Sequence, residues 1–244
     1  MAMTRKIVTA GPLVREVLYP RIGRGDSDRV RAAKSKASSE ARQRMNDRVS
    51  WQKCEMMIAA NFVPGDPVVC LTYDDRHLPE SRKQVSRHMT QFRAALQKLM
   101  GRKTKLRILW SIEHLHGEKR WHVHLICNFP GDCRKIAAAW RRGLIYAEPF
   151  RVDEKKNHET LARYICKESR DKVGLRAWSY SRSCSKPEVE TWTVPDDTQL
   201  SAPKGAAVIE QVRDRREYGR FEYVKYRYAA IVKPHYHRRR KSRK

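Results

Sequence analysis

The sequence has no Cys-x-x-Cys pair among its six cysteines, no apolar run of membrane-spanning length, no Gly-x-x-x-x-Gly-Lys-Ser/Thr segment and few acids. Each absence excludes something. Without paired cysteines a structural zinc site lacks its usual ligand frame, and Cys70, Cys127 and Cys166, set in apolar runs, read as reduced, buried thiols. A membrane span takes roughly 18 apolar residues, and the first nine residues lack the apolar core of a secretory signal, so a cytoplasmic protein without membrane contact is expected. With no phosphate-binding loop, unwinding of a duplex would have to come from another protein. Only 11 Gly and 11 Pro stand among 244 residues, and the 40% apolar content is too high for a disordered chain. What dominates is charge: 53 Lys plus Arg against 27 Asp plus Glu leave a net +26, which calls for a polyanionic partner such as nucleic acid.

Along the chain, three regions separate: 1–63, a basic, partly mobile arm followed by a helix; 64–185, the segment richest in regular pattern; and 186–244, an extension ending in a basic tail. From Ser39 to Pro64 no Gly or Pro interrupts a loose apolar face of Met45, Val49, Met56, Ile58 and Ala59, which predicts a helix. After Pro64-Gly65-Asp66-Pro67, the run Val68 to Tyr73 predicts a strand. Ser81-x-x-Gln84 is a capping box, and Val85, Met89, Phe92, Leu96 and Leu99 follow at helical spacing until Gly101. Leu106 to His114 and Arg120 to Cys127 form two strands around a turn at Gly117-Glu118. Arg134 to Arg142 is a short helix, Leu144 to Val152 a fourth strand, and Asn157 caps a last helix to about Glu168. The order βαββαβ is the ferredoxin-like α+β pattern, a four- to five-stranded antiparallel sheet with both crossover helices on one face and the other face open.

A two-residue turn at Gly117 and Glu118 also fixes the hairpin register: Glu113 falls opposite His122, Ile112 opposite Val123, Trp110 opposite Leu125 and Ile108 opposite Cys127. These last pairs make one face wholly apolar. The other carries Ser111, Glu113, His122 and His124, so two imidazoles and a carboxylate meet, a donor set suited to a divalent metal. Two other His-x-His spacings compete, His114 with His116 on the helix-facing side and His235 with His237 in the basic tail, and neither has a carboxylate placed beside it. On the last helix Leu161 and Ile165 mark the buried stripe, while Tyr164 and Lys167 share its edge. By themselves, the histidines could equally be nucleic-acid contacts and the tyrosine a packing residue.

Taken in order, Val68 to Tyr73 with Asp74-Asp75, then His122-Val123-His124, then Tyr164-Ile165-Cys166-Lys167, with Ser181-Arg182 beyond, resemble the motifs of the HUH endonucleases. The nearest likeness is to the rolling-circle replication initiators of small single-stranded DNA phages and plasmids. The resemblance covers about residues 50 to 185. It implies that Tyr164 attacks a phosphate of single-stranded origin DNA, forms a 5′-phosphotyrosine link and frees a 3′ hydroxyl for a host polymerase, with Lys167 assisting. It further implies a divalent cation, Mg²⁺ or Mn²⁺, on His122, His124 and Glu113, a host helicase, and work in a bacterial host cytoplasm. Glu168 stands where a second tyrosine would be, so the likeness is to the single-tyrosine class. Two alternatives share these features: an HUH transposase with the same site, and a non-catalytic ferredoxin-like module that stacks bases on its open sheet.

In the C-terminal extension Pro195 to Gly205 reads as a loop, and Ala206 to Lys233 as strands. Phe221, Tyr223, Tyr226 and Tyr228 there alternate with Arg220, Lys225 and Arg227, either a base-stacking surface or a packed β-hairpin.

Overall fold

The computed structural model describes residues 2–21, 40–114, 120–130, 132–153, 157–167, 177–216 and 219–229. In chain order its elements are β1 (Met3–Ala10), β2 (Leu13–Pro20), α1 (Glu40–Asn61), β3 (Pro67–Leu71), α2 (Arg82–Met100), β4 (Ile108–Glu113), β5 (His122–Cys127), α3 (Cys133–Trp140), β6 (Ile145–Pro149), α4 (Glu159–Ile165), β7 (Ser179–Tyr180), β8 (Glu188–Val194), β9 (Ala207–Arg216) and β10 (Gly219–Arg227). They form two compact units, residues 22–188 and residues 1–21 with 189–244. No described helix is long and apolar enough to cross a membrane.

The unit of residues 22–188 is the mixed α+β domain that the βαββαβ order predicts. Its five strands are antiparallel in the order β6-β3-β5-β4-β7. The four strands β6-β3-β5-β4 therefore take the ferredoxin-like arrangement, with α2 and α3 as crossovers, and β7 adds an edge beside β4. Alternation along the strands divides the core in two. Val69, Leu71, Ile108, Ile112, Val123, Leu125 and Cys127 face α2 and α3, where they meet Val85, Met89, Phe92, Leu96, Ile136 and Trp140. Leu99, which continues the α2 spacing in sequence, is exposed, because Met100, four residues after Leu96, takes the core side of the last turn. At the start of α2 the Ser81 hydroxyl accepts from the Gln84 N–H and the Gln84 side chain accepts from the Glu80 N–H, satisfying two amides that the helix cannot pair.

The opposite face is not open. Leu109 and Ile126 point there, and α1 and α4 cover them with Trp51, Cys54, Ile58, Phe62, Ala162 and Ile165. The face of α1 that packs is thus turned away from Met45 and Val49, which are exposed. Arg163 lies over the Trp51 ring at 4.1 Å and ties α4 to α1. Ser181 secures the β4 edge, accepting from the Ile108 N–H and donating to the Leu106 carbonyl.

The other unit corrects the reading of residues 1–63 as one arm and helix. Residues 3–20 are a β-hairpin, and β2 pairs on its far side with β10 in a sheet ordered β8-β1-β2-β10-β9. Met3, Ile7, Val14, Leu18, Leu200, Val224 and Tyr226 form its core. The remainder of the basic arm, 22–39, lies outside the described residues. Tyr223 and Tyr226 are buried, and the Tyr226 hydroxyl donates to the buried Glu16 carboxylate at 2.6 Å, so these two rings are packing residues and not a stacking surface. Arg5 balances the same carboxylate at 2.5 Å. All six cysteines are free thiols.

Candidate functional site

The β4–β5 register is the one the turn spacing requires. Glu113 lies opposite His122, Ser111 opposite His124, and Ile112 opposite Val123. The turn itself lies outside the described residues. One strand further, His124 stands opposite Cys70 and Cys70 opposite Tyr146, so Ser111, His124, Cys70 and Tyr146 form one row across four strands on the face shared with α4. Ser111, Glu113 and His124 are nearly buried, at 5%, 6% and 7% exposure, whereas Tyr164 is 43% exposed. The candidate site is therefore a crevice between the sheet end and α4, not a bare sheet. A cavity of about 710 Å³ runs beside it, lined among others by Val68, Cys70, His124, Tyr146, Leu161 and Tyr164.

The helix that carries Tyr164 starts late for its sequence signal. Asn157 does accept from the Glu159 N–H, but the first helical residue is Glu159, and the helix ends at Ile165. Ala162 and Ile165 are anchored in the core, which turns Tyr164 and the following Lys167 toward β5. There the Tyr164 hydroxyl is 3.1 Å from Nδ1 of His124, the two rings meet edge to face at 4.7 Å, and Nε2 of His124 is 2.5 Å from Oε2 of Glu113. Lys167 Nζ is 2.9 Å from the same carboxylate oxygen and 4.2 Å from the centre of the Tyr164 ring. Tyr164, His124, Glu113 and Lys167 are thus one connected network.

Its electrostatics follow from burial and pairing. Burial alone pushes the Glu113 carboxyl up, but hydrogen bonds from His124 and Lys167 outweigh it and hold the acid at about 2. An ionised Glu113 keeps a proton on Nε2 of His124 and leaves Nδ1 as the acceptor for the tyrosine hydroxyl. Burial raises the Tyr164 phenol above its ordinary value, partly opposed by Lys167, and burial also raises the Cys70 thiol. His122 is pushed below its ordinary value, again by burial, and so is neutral at physiological pH.

For a metal the donor chemistry is right: a neutral imidazole in His122, a carboxylate in Glu113 and the second imidazole of His124 share one face at the strand ends. Among the described residues, however, no three His, Cys, Asp or Glu side chains converge as a ready cation pocket. His124 and Glu113 are instead bonded directly to each other, Nε2 to Oε2. Of the competing histidines, His114 stacks on Trp121 at 3.9 Å, while His116, His235 and His237 lie outside the described residues. Sequence reading overlooked Cys70 and Tyr146. Their signal was the alternation of Val68 and Cys70 in β3, which becomes legible only when β3 is paired with β5.

Residues 66–172 match the family model of the replication-associated protein ORF2. The match covers just under half of the chain and is consistent with an initiator of rolling-circle replication. It begins one residue before β3 and takes in Glu113, His122, His124, Tyr164 and Lys167. Among curated proteins nothing matches the chain, and among solved structures nothing matches it either.

Proposed function

We propose that this chain initiates DNA replication by nicking single-stranded origin DNA, with the Tyr164 hydroxyl as nucleophile. The observation that carries this reading is the contact of that hydroxyl with Nδ1 of His124, backed by Glu113 on the far side of the ring and by Lys167 at the phenol. A phenol with a raised pKa is a poor nucleophile until something takes its proton. Nδ1 of His124 holds the hydroxyl in place while its proton passes to solvent. The Tyr164 oxygen then bonds to phosphorus, the bond from phosphorus to the 3′ oxygen breaks, and that oxygen leaves as a 3′ hydroxyl after taking up a proton. The 5′ phosphate stays on Tyr164, and no nucleotide is consumed. Lys167 contributes positive charge where the phenolate and the phosphate oxygens develop theirs.

His122, His124 and Glu113 would hold a divalent cation, Mg²⁺ or Mn²⁺, which when bound would neutralise phosphate charge and orient it for in-line attack. Single-stranded substrate fits the surface: the exposed aromatic rings among the described residues, Tyr146, Tyr164 and Tyr180, all belong to the site face, where unpaired bases can stack. A binding platform alone would have no use for a buried acid beside two histidines, since a carboxylate repels phosphate. The 3′ hydroxyl would serve a host polymerase, and a host helicase would supply unwinding.

The test is a covalent adduct. Full-length protein mixed with single-stranded origin DNA and Mg²⁺ or Mn²⁺ should give, under denaturing conditions, a protein band shifted by the attached strand, with the nucleotide mapped to the peptide of Tyr164. Absence of any adduct with all cations tried, or an adduct on another tyrosine, would overturn the assignment; hairpin transposon ends cleaved in preference to origin DNA would turn it toward a transposase.

A further inference from the structure

The charge of this chain is not evenly spread over the domain. Between Glu80 and Glu113 the sequence has no acid for 32 residues and nine cations: Arg82, Lys83, Arg87, Arg93, Lys98, Arg102, Lys103, Lys105 and Arg107. From Cys133 to Ala147 there is again no acid, and Arg134, Lys135, Arg141 and Arg142 stand there. These two stretches contain α2 and α3, the layer packed on the face of the sheet opposite Tyr164. The carboxyl-terminal stretch 223–244 is likewise free of acid, whereas around β8 the acids Glu188, Glu190, Asp196 and Asp197 stand without a cation among them.

Some of these cations are committed within the domain. Arg82 donates to the Ile112 carbonyl, Arg93 lies over Trp110, Arg134 pairs with Asp132, and Arg142 donates to Gln91. Others are turned outward. At 100° per residue, Lys83, Arg87 and Lys98 fall within about 60° of one another on α2, about 180° from the buried stripe of Val85, Met89, Phe92 and Leu96. They are exposed, as are Arg102, Lys103 and Lys105 just beyond the helix and Lys135 on α3. From Lys83 to Lys98 the stripe runs about 22 Å along a rigid helix. Among the described residues the layer shows no fully exposed aromatic ring: Phe92 and Trp140 are in the core, Trp110 is half-buried with Arg93 over it, Trp121 is half-buried beside His114, and the exposed rings Tyr146, Tyr164 and Tyr180 are on the other face.

We infer that the α2–α3 layer is a docking surface for duplex DNA, gripping the phosphate backbone without reading sequence. Cations alone, fixed on a helix and its following loop, match a polyanion whose bases are hidden inside a helix; a single strand would leave its bases against a surface with no fully exposed ring to stack on. The two faces of one sheet then divide the labour: the aromatic face takes the unpaired strand, and the cationic face holds the neighbouring double-stranded segment. This does not depend on the nicking reading, because a protein with no nuclease activity would still show the difference between its faces.

The experiment uses full-length protein with two fluorescent probes, a 20-base-pair blunt duplex of arbitrary sequence and a single-stranded 20-mer of thymidine. The layer variant is Lys83→Glu with Arg87→Glu and Lys98→Glu; a charge-matched control carries Lys186→Glu, Lys204→Glu and Arg215→Glu. The layer variant should bind duplex at least tenfold more weakly, with a salt dependence shallower by about two to three in log–log slope, and bind the single strand within threefold of the parent. The control should change duplex affinity by less than threefold. The corresponding three Gln substitutions, which add no acid, should give a smaller loss in the same direction, and thermal melting should report a folded domain for each variant. Equal loss of duplex binding in control and layer variants, equal loss of both probes in the layer variant, or unchanged duplex binding would each overturn the proposal.

Discussion

The Tyr164 hydroxyl and Nδ1 of His124, 40 residues apart in sequence, lie 3.1 Å apart, and the far nitrogen of the same ring is held by Glu113. The path of contacts from the Tyr164 hydroxyl to the Glu113 carboxylate is thus assembled from three elements, α4, β5 and β4. Removing the hydroxyl should break the path without disturbing its walls. Tyr164→Phe is expected to keep the melting temperature within about 2 °C and the single-strand affinity within threefold, and to lose the covalent adduct entirely. Because burial holds the phenol above its ordinary range near 10, adduct formation by the parent should rise with pH up to at least about pH 9, measured as initial rates.

Replacing His122 or His124 with Ala should abolish cation-dependent adduct formation, with DNA affinity largely retained because it comes from Lys and Arg. Chelation of divalent cations should have the same effect on the parent. Glu113→Ala should be milder than either histidine loss, or shift the preferred metal. If His114→Ala or His235→Ala did the damage instead, the hairpin assignment would fall. Gel quantification of the adduct across this set decides the matter.

Glu113 titrates at about 2 when folded, below its usual 4.5, so its contacts stabilise the fold fully above pH 4.5, and that contribution is lost as pH falls toward 2. Glu113→Gln should therefore flatten the acid limb of stability over that window in urea titrations with chelator present. At pH 7 it should cost about 1–2 kcal/mol, since Lys167 loses its charged partner but remains partly in water.

Gly143 has φ of 155°, and a Cβ there would lie 2.5 Å from the Thr72 carbonyl oxygen and 2.8 Å from the Asp74 nitrogen. Both contacts are backbone, at the end of β3, so neither can swing aside. Gly143→Ala should destabilise the domain by about 2–4 kcal/mol in denaturant unfolding. A loss under about 1 kcal/mol would mean that the α3–β6 connection is softer than this approach implies.

Much of the site was legible because two spacings leave no freedom. Gly117-Glu118 fixes which residues of β4 and β5 oppose, and the 100° step of a helix puts Tyr164 and Lys167 on one edge once Leu161 and Ile165 are taken as buried. What escaped depends on partners distant in sequence. Leu109 and Ile126 are apolar on the supposedly open face, a sign that something covers it, yet nothing local says that α1 does so. In β2, Val14, Glu16 and Leu18 alternate as a strand should, but Glu16 breaks the apolar pattern, and its reason, Arg5 and Tyr226, is visible only in the folded sheet. Tyr223 and Tyr226 misled in the same way: aromatics among cations read as a stacking surface until burial shows them to be packing.

The sheet in which β2 lies between β1 and β10 joins residues 13–20 to residues 219–227. During synthesis the hairpin of β1 and β2 therefore leaves the ribosome with both edges unsatisfied, and waits through most of the chain for β8 to pair with β1 and for β10 to pair with β2. The domain of residues 22–188 emerges in between and can finish folding first. Through that interval β2 presents unpaired amides and carbonyls, so chaperone capture or mispairing between nascent chains would concentrate there, and the birth order of the two units is written into the topology.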